Sequence, residues 1–317
     1  MANVKSQGRG QGWLVKALVL SVIALVGLLA NPAAYAQSNT VTVMHELGEA
    51  VVTMNPKTVV VFDYATLDSL DEMGIEVTGL PKSSLPPYLS KFKDSKYVDV
   101  GTLFEPNFER IYELQPDVIF ISTRQASQYA ELQRIAPTVY LAVEPNDYLG
   151  SVTKNLRILG DIFGKEEFIA QEVNQLQQAF QSLRQQVDAT GSNALLIMAN
   201  DGALSAYGPG SRFGVVHQEM GFPPADPKIE VATHGQNIAF EYLISVDPDY
   251  LLVIDRAATV GGSISAKQVL DNPLVRMTSA YKNDRILYLN SQVWYVASGG
   301  LTATKLMLAD IEGALGK

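Results

Sequence analysis

The sequence predicts an α/β protein made of two similar lobes joined by one long helix, and three observations carry that reading. Two segments echo each other. Phe108-Glu109 leads to Pro116-Asp117, the apolar run Val118-Ile119-Phe120-Ile121 and Arg124. Phe240-Glu241 leads to Pro248-Asp249, the run Leu251-Leu252-Val253-Ile254 and Arg256, with the same Phe-to-Pro and Glu-to-Arg distances. Strand-like runs alternate with helical stretches along the chain, the pattern of parallel sheets covered by helices. Between the two echoes, Ile169, Val173, Leu176, Phe180, Leu183 and Val187 recur three and four residues apart among Gln and Glu, the signature of an amphipathic helix.

Taken in order, residues 1–36 read as a cleavable secretory signal. Lys5, Arg9 and Lys16 form a basic start, Leu18 to Leu29 is apolar, and Ala34-Tyr35-Ala36 is a small-x-small cleavage site before Gln37. The apolar run is shorter than the roughly 20 residues a membrane-spanning helix needs. Val41 to Met44 and Val51 to Thr53 flank a Leu47-Gly48-Glu49 turn and predict a hairpin. Thr58 to Phe62 is a strand, and Leu67 to Met73 a helix stopped by Gly74. Strands follow at Glu76 to Gly79, Tyr97 to Val100, Val118 to Ser122 and Val139 to Val143. Helical spacing covers Asp147 to Gly164 and then Lys165 to Val187, closed by Thr190-Gly191-Ser192. The second half starts at Ala194 to Met198, continues through Tyr250 to Ile254 and Arg285 to Leu289, and finishes with a helix from Ala303 to Leu315. The expected organisation is a signal at 1–36, an N-terminal lobe at 37–164, a linker helix at 165–190 and a C-terminal lobe at 191–317.

Composition narrows the function. The 317 residues contain no Cys, so an exported chain must rest on its packed core rather than on disulfides, and it has no thiol for a lipid anchor. The formal charge is −9, and the three cations of the signal segment make the remainder −12. Such a balance argues against nucleic acid and anionic membrane as partners. It also makes any local group of Arg worth explaining.

Each echo unit reads as a short helix, a Pro-Asp turn, a buried strand and an Arg just past the strand's carboxyl end, where open α/β sheets bind ligands. Arg124 and Arg256 occupy those places. A third Arg, Arg212, lies in the Gly-rich stretch Tyr207-Gly208-Pro209-Gly210-Ser211-Arg212-Phe213-Gly214. That stretch has one residue too many for a dinucleotide fingerprint, no Lys for a P-loop and no nucleophile elbow. Two readings stay open: three solvated surface Arg, or one anion site with three forked donors from two lobes. His234 lies in the polar loop Ala232-Thr233-His234-Gly235-Gln236, and Tyr295 in Val293-Trp294-Tyr295-Val296, after the strand that ends near Leu289. Imidazole suits iron, and a metal can deprotonate a phenol whose free pKa is near 10. Two donors cannot close an iron site, but they fit a metal that arrives inside a chelator.

In these contexts the chain resembles the periplasmic siderophore-binding proteins of ABC iron importers, over nearly all of the mature length. It is most similar to the subgroup that binds ferric catecholates such as linear enterobactin fragments or petrobactin. The resemblance implies the class III fold, two Rossmann-like α/β lobes on one long helix. It implies that Arg124, Arg212 and Arg256 surround the catecholate oxygens, and that His234 and Tyr295 coordinate the Fe(III). It further implies that Glu109 and Glu241, one on each lobe, dock onto the permease dimer. The expected protein is a periplasmic monomer with no catalytic residues and no intrinsic cofactor, whose ligand is the ferric siderophore. The alternatives are a binder of haem or another iron chelate on the same fold, and a secreted metal-dependent hydrolase. The hydrolase is disfavoured because no His-Glu-x-x-His or close His–carboxylate cluster is present in the sequence.

Overall fold

A computed structural model describes residues 39–315 apart from Thr233; the expected signal peptide lies outside the described residues. Thr40–Lys317 forms one compact unit. Strands β1 (Thr40–His45) and β2 (Gly48–Thr53) make the expected hairpin. Its turn falls at Glu46-Leu47 rather than at Leu47-Gly48-Glu49, because Gly48 is already paired with His45.

The first sheet is formed by β3 (Val59–Val61), β4 (Gly79–Leu80), β5 (Val98–Asp99), β6 (Val118–Ile121) and β7 (Thr138–Tyr140). Its order is β5-β4-β3-β6-β7, and every pairing is parallel. Between these strands run α1 (Tyr64–Glu72), whose N-cap Asp63 accepts from the Thr66 amide, and α2 (Phe108–Leu114). Helix α3 (Tyr148–Phe163) leads into α4 (Glu166–Thr190), whose 25 residues span about 37 Å at 1.5 Å per residue. The six apolar positions picked out by spacing are the six buried residues of α4.

The second sheet contains β8 (Ala194–Asn200), β9 (Ala203–Tyr207), β10 (Gln236–Ile238), β11 (Tyr250–Asp255) and β12 (Ile286–Tyr288), in the order β10-β9-β8-β11-β12. β11 pairs in parallel with β8 and β12, whereas β9 is antiparallel to both β8 and β10. The sequence reading found neither β9 nor β10. The missed signal was Asp201-Gly202: both residues have positive φ, 46° and 93°, which the two-residue primed hairpin turn demands. This half also carries helices α5 (Phe240–Val246), α6 (Arg256–Val260), α7 (Ser291–Val296) and α8 (Leu301–Leu315), among shorter ones.

The echo is structural. β6 and β11 occupy equivalent places, each flanked in parallel on both sides. α2 and α5 both have seven residues and end in a left-handed residue, Gln115 or Asp247. Each Pro-Asp turn ties its strand to the neighbouring one. Asp117 Oδ2 accepts from the Lys57 and Thr58 amides, and Asp249 Oδ2 from the Asn193 amide. Strand period then divides the core. Val118, Phe120, Leu252 and Ile254 belong to one central cluster that continues through both lobes and under α4. Ile119 and Ile121 face an outer cluster on the first lobe, and Leu251 and Val253 one on the second.

Helix α8 returns to the first half and packs on α1 and α4. Its first amides are satisfied from α1: Asp68 accepts from the Thr302 amide at 3.2 Å and the Ala303 amide at 2.7 Å, and Ser69 Oγ accepts from Leu301. Position 300 must be Gly, since a Cβ there would overlap the Asp68 carboxylate. Asp68 is buried, and desolvation raises its carboxyl to about 6 against the opposing effect of those amides.

Candidate functional site

The carboxyl ends of β6 and β11 both open onto a cleft of about 640 Å³. After β6, Ser122 and Gln125 close a capping box over the turn that carries Arg124. After β11, Asp255 caps α6 by accepting from the Ala258 amide, which makes Arg256 the first helical residue. The Gly-rich turn after β9 presents Arg212. Tyr295 stands in the last turn of α7, after the strand that the sequence placed before it. His234 lies on the exposed segment before β10, and no hydrogen bond to its ring occurs among the described residues. All five side chains line the same cleft.

Tyr295 is where the three Arg meet. Its carbonyl, one of the last of α7 and so without an intrahelical donor, accepts from Arg124 Nη2 at 3.1 Å and from Arg212 Nη2 at 2.8 Å. Its hydroxyl accepts from Arg256 Nε at 3.0 Å. The Arg212 guanidinium also lies 4.9 Å from the ring centres of Phe213 and Tyr295. Arg212 is exposed as a residue, yet the groups around its guanidinium partly desolvate it. That desolvation and, second, the charge of Arg124 lower its pKa from the usual 12.5. A guanidinium so shifted still carries its charge at neutral pH.

The partners of these Arg are all neutral oxygens. Arg256 Nη1 donates to Asn200 Oδ1 at 2.9 Å, and the remaining bonds go to Tyr295. None of the three forms an ion pair with a carboxylate among the described residues. In an acidic protein, three guanidinium charges are thus gathered without a carboxylate in direct contact, which suits an anionic ligand with several acceptor oxygens. On the first lobe's side, buried Asp63 also lines the cleft. Burial raises its carboxyl, and its bonds to Thr66 and the charge of Arg124 oppose the rise.

Among the described residues no three His, Cys, Asp or Glu side chains gather where a metal could sit. The imidazole of His234 and the phenol of Tyr295 are nitrogen and oxygen donors that line the cleft, as are the carboxylates of Asp63 and Glu144 and the phenols of Tyr140, Tyr148 and Tyr207. Glu109 and Glu241 do not line the cleft. Each is the exposed second residue of its helix, α2 or α5. Sequence reasoning missed the lining residues Asp63, Phe104 and Val231, and Asn200, which does not line the cleft but bonds Arg256. Asn200 could have been found, since it immediately precedes the Asp-Gly hairpin signal and so ends a strand.

Two α/β lobes on one long helix, with a ligand-sized cleft at the carboxyl ends of their strands, define a class III binding protein. The chain belongs to the periplasmic binding protein family, which residues 59–293 match. It is 44% identical over 281 residues to the petrobactin-binding protein YclQ of Bacillus subtilis, covering 87% of this chain and 89% of that protein. The crystal structure of YclQ superposes with a TM-score of 0.86 over 88% of this chain and 99% of that one. The periplasmic catecholate-siderophore-binding protein VctP of Vibrio cholerae gives a TM-score of 0.83 at 39% identity, over 86% and 99% of the two chains. The ferric-anguibactin-binding protein FatB of Vibrio anguillarum is 31% identical over 277 residues, 86% of each protein.

Proposed function

We propose that this protein is the periplasmic substrate-binding component of an ABC importer, that it captures a ferric catecholate siderophore in the cleft, and that it delivers it to an inner-membrane permease for iron uptake. The observation that carries the reading is the set of three Arg held only by neutral oxygens around Tyr295. The names of the relatives support it: two bind petrobactin or catecholate siderophores. Residues 37–164 and 191–317 would act as the two gripping lobes and 165–190 as their linker.

The chemistry follows from charge and coordination. A tetradentate bis-catecholate leaves two adjacent positions open on octahedral Fe(III), and its phenolate charge exceeds that of the metal. His234 and Tyr295 fill those positions. Arg124 and Arg212 turn from the Tyr295 carbonyl toward the catecholate oxygens, Arg256 stays against the Tyr295 hydroxyl and offers them its free N–H groups, and each charge-assisted bond contributes about 1.5–3 kcal/mol. A hexadentate complex uses the Arg set without the His–Tyr pair. No bond is made or broken in the ligand; the protein captures and releases. Glu109 and Glu241 meet cationic pockets of the two-fold permease, and the protein works as a monomer.

The test is a visible-absorption titration of iron-free protein, residues 37–317, with a ferric tetradentate bis-catecholate. One-to-one binding with a shifted charge-transfer band is expected. Failure to bind that complex, with binding of haem instead, would transfer the site to the haem reading.

A further inference from the structure

The two Arg of the echo are tethered differently. Arg124 is held by a backbone carbonyl, but Arg256 is held by a side chain that no part of the proposed chemistry uses. Asn200 is the last residue of β8, which pairs with β11 in parallel register, Ala199 opposite Asp255. That register places Asn200 beside Arg256 across the strand ends. The guanidinium is then fixed on two edges: Nη1 donates to Asn200 Oδ1 at 2.9 Å, and Nε donates to the Tyr295 hydroxyl at 3.0 Å. Its centre is 5.7 Å from the Tyr295 ring. The adjoining carboxylate of Asp201 is committed elsewhere, accepting from the Ser263 and Ile264 amides, so it makes no ion pair with Arg256. The turn therefore offers Arg256 an amide for direct contact, while Asp201, held below the usual carboxylate range first by the Ser263 and Ile264 amides and last by Arg256, acts on the guanidinium only at a distance.

We infer that Asn200 is a positioning residue of the ligand site: it orients Arg256 against the Tyr295 hydroxyl and, being neutral, leaves the Arg256 charge free for an anionic ferric ligand. An acceptor oxygen is needed to hold the fork, and both Asn and Asp supply one. Asp would also supply a negative charge, which would pair with Arg256 and repel the ligand's phenolates. The choice of amide over carboxylate sets the site's charge as well as its shape. This inference rests on the ferric-catecholate reading for its affinity consequence, but the tether can be tested without it.

Two variants separate charge from position. Asn200→Asp keeps the acceptor and adds charge; Asn200→Ala removes the acceptor. Each is first checked for wild-type circular dichroism and melting. With a ferric tetradentate bis-catecholate at pH 7.5, Asn200→Asp is expected to bind at least about tenfold more weakly than the wild type. The ratio of variant to wild-type affinity should climb back toward one as added salt screens the new carboxylate. Asn200→Ala should lose affinity at every salt concentration and shift the iron charge-transfer band, since the Tyr295 hydroxyl loses a fixed donor. A residue that merely supported the fold would show neither the salt-dependent recovery nor the band shift. Equal affinity of Asn200→Asp and wild type at low salt would overturn the charge role. In the ligand-free protein, the Arg256 Nε–H resonance is expected to exchange faster with water in Asn200→Ala than in the wild type; unchanged exchange would overturn the tether. If the wild type failed to bind the ferric complex, the catecholate reading would fall, and the exchange experiment would still decide whether Asn200 holds Arg256.

Discussion

The two lobes place an Arg at the same point with different sheets. In the first, all strands are parallel and two of them, β4 and β5, are only two residues long. In the second, the crossover after β8 is replaced by the Asp201-Gly202 hairpin, and β9 and β10 run antiparallel. The shared part, helix to Pro-Asp turn to central strand, delivers Arg124 and Arg256. The altered part delivers what the first lobe lacks: the turn after β9 brings Arg212, the segment before β10 brings His234, and the end of β8 brings Asn200. With Tyr295, the second lobe supplies four of the five candidate ligand residues and the first lobe one. The lesson is that a duplicated frame keeps its cation while a local change of strand direction adds binding groups to one copy.

The largest expected effects fall on the second lobe's proposed metal donors. Tyr295→Phe and His234→Ala should each weaken a tetradentate ferric bis-catecholate by about a hundredfold or more, and a hexadentate one only modestly, because removing a metal donor exceeds the 10- to 100-fold typical of losing its supporting bond. Equal losses for both ligands, measured by fluorescence quenching, would remove direct coordination. Next come the paired Arg. Arg256→Ala and Arg124→Ala each remove a charge-assisted donor, with expected losses of about ten- to a hundredfold. Arg256→Ala should cost more, because it also frees the Tyr295 hydroxyl; a larger loss for Arg124→Ala would reverse the asymmetry between lobes.

A third experiment asks how far the lobes are one body. Asp68 on α1 holds the start of α8, so Asp68→Ala should destabilise the protein by about 1–3 kcal/mol in urea, as amides of α8 lose their buried acceptor. The carboxyl lies at about 6 when folded and 3.8 ordinarily, so the folded state binds more protons between those values. This group's contribution to stability therefore falls as pH rises from about 4 to about 6. Asp68→Asn should flatten that slope; an unchanged slope would show that another group causes it. The smallest effect on affinity is expected at the echoed acids. Glu109→Ala and Glu241→Ala should leave ligand binding unchanged while impairing transport with the cognate permease, and a loss of affinity would contradict their position away from the cleft.

Much of this was legible because it is local. Side-chain direction repeats every two residues in a strand and about every 3.6 in a helix, so the buried runs of β6 and β11 and the buried face of α4 could be read directly from the order of residues. The Arg124 and Arg256 positions just past the strand ends were legible, but not that Arg124 lies in a short 3-10 helix and that Arg256 opens α6. The hairpin at Asp201-Gly202 was legible too and was overlooked, which hid β9 and the place of Asn200. No periodic signal marked the short helix that carries Tyr295; packing of Trp294 and Val296 into the core makes that residue part of the last turn of α7.

The sequence by itself determined the α/β class, the two-lobed repeat, the long helix and the residue types available to an anionic ferric ligand, since each depends on neighbours along the chain. The tertiary structure alone decided that Arg124 and Tyr295, 171 positions apart, share a hydrogen bond, that Asn200 reaches Arg256 across 56, and that Asp68 holds Ala303 across 235. Those contacts are set by sheet register and by the return of α8 across the lobes. Neither leaves a periodic trace in the chain, because the partners meet only after the strands and helices have packed.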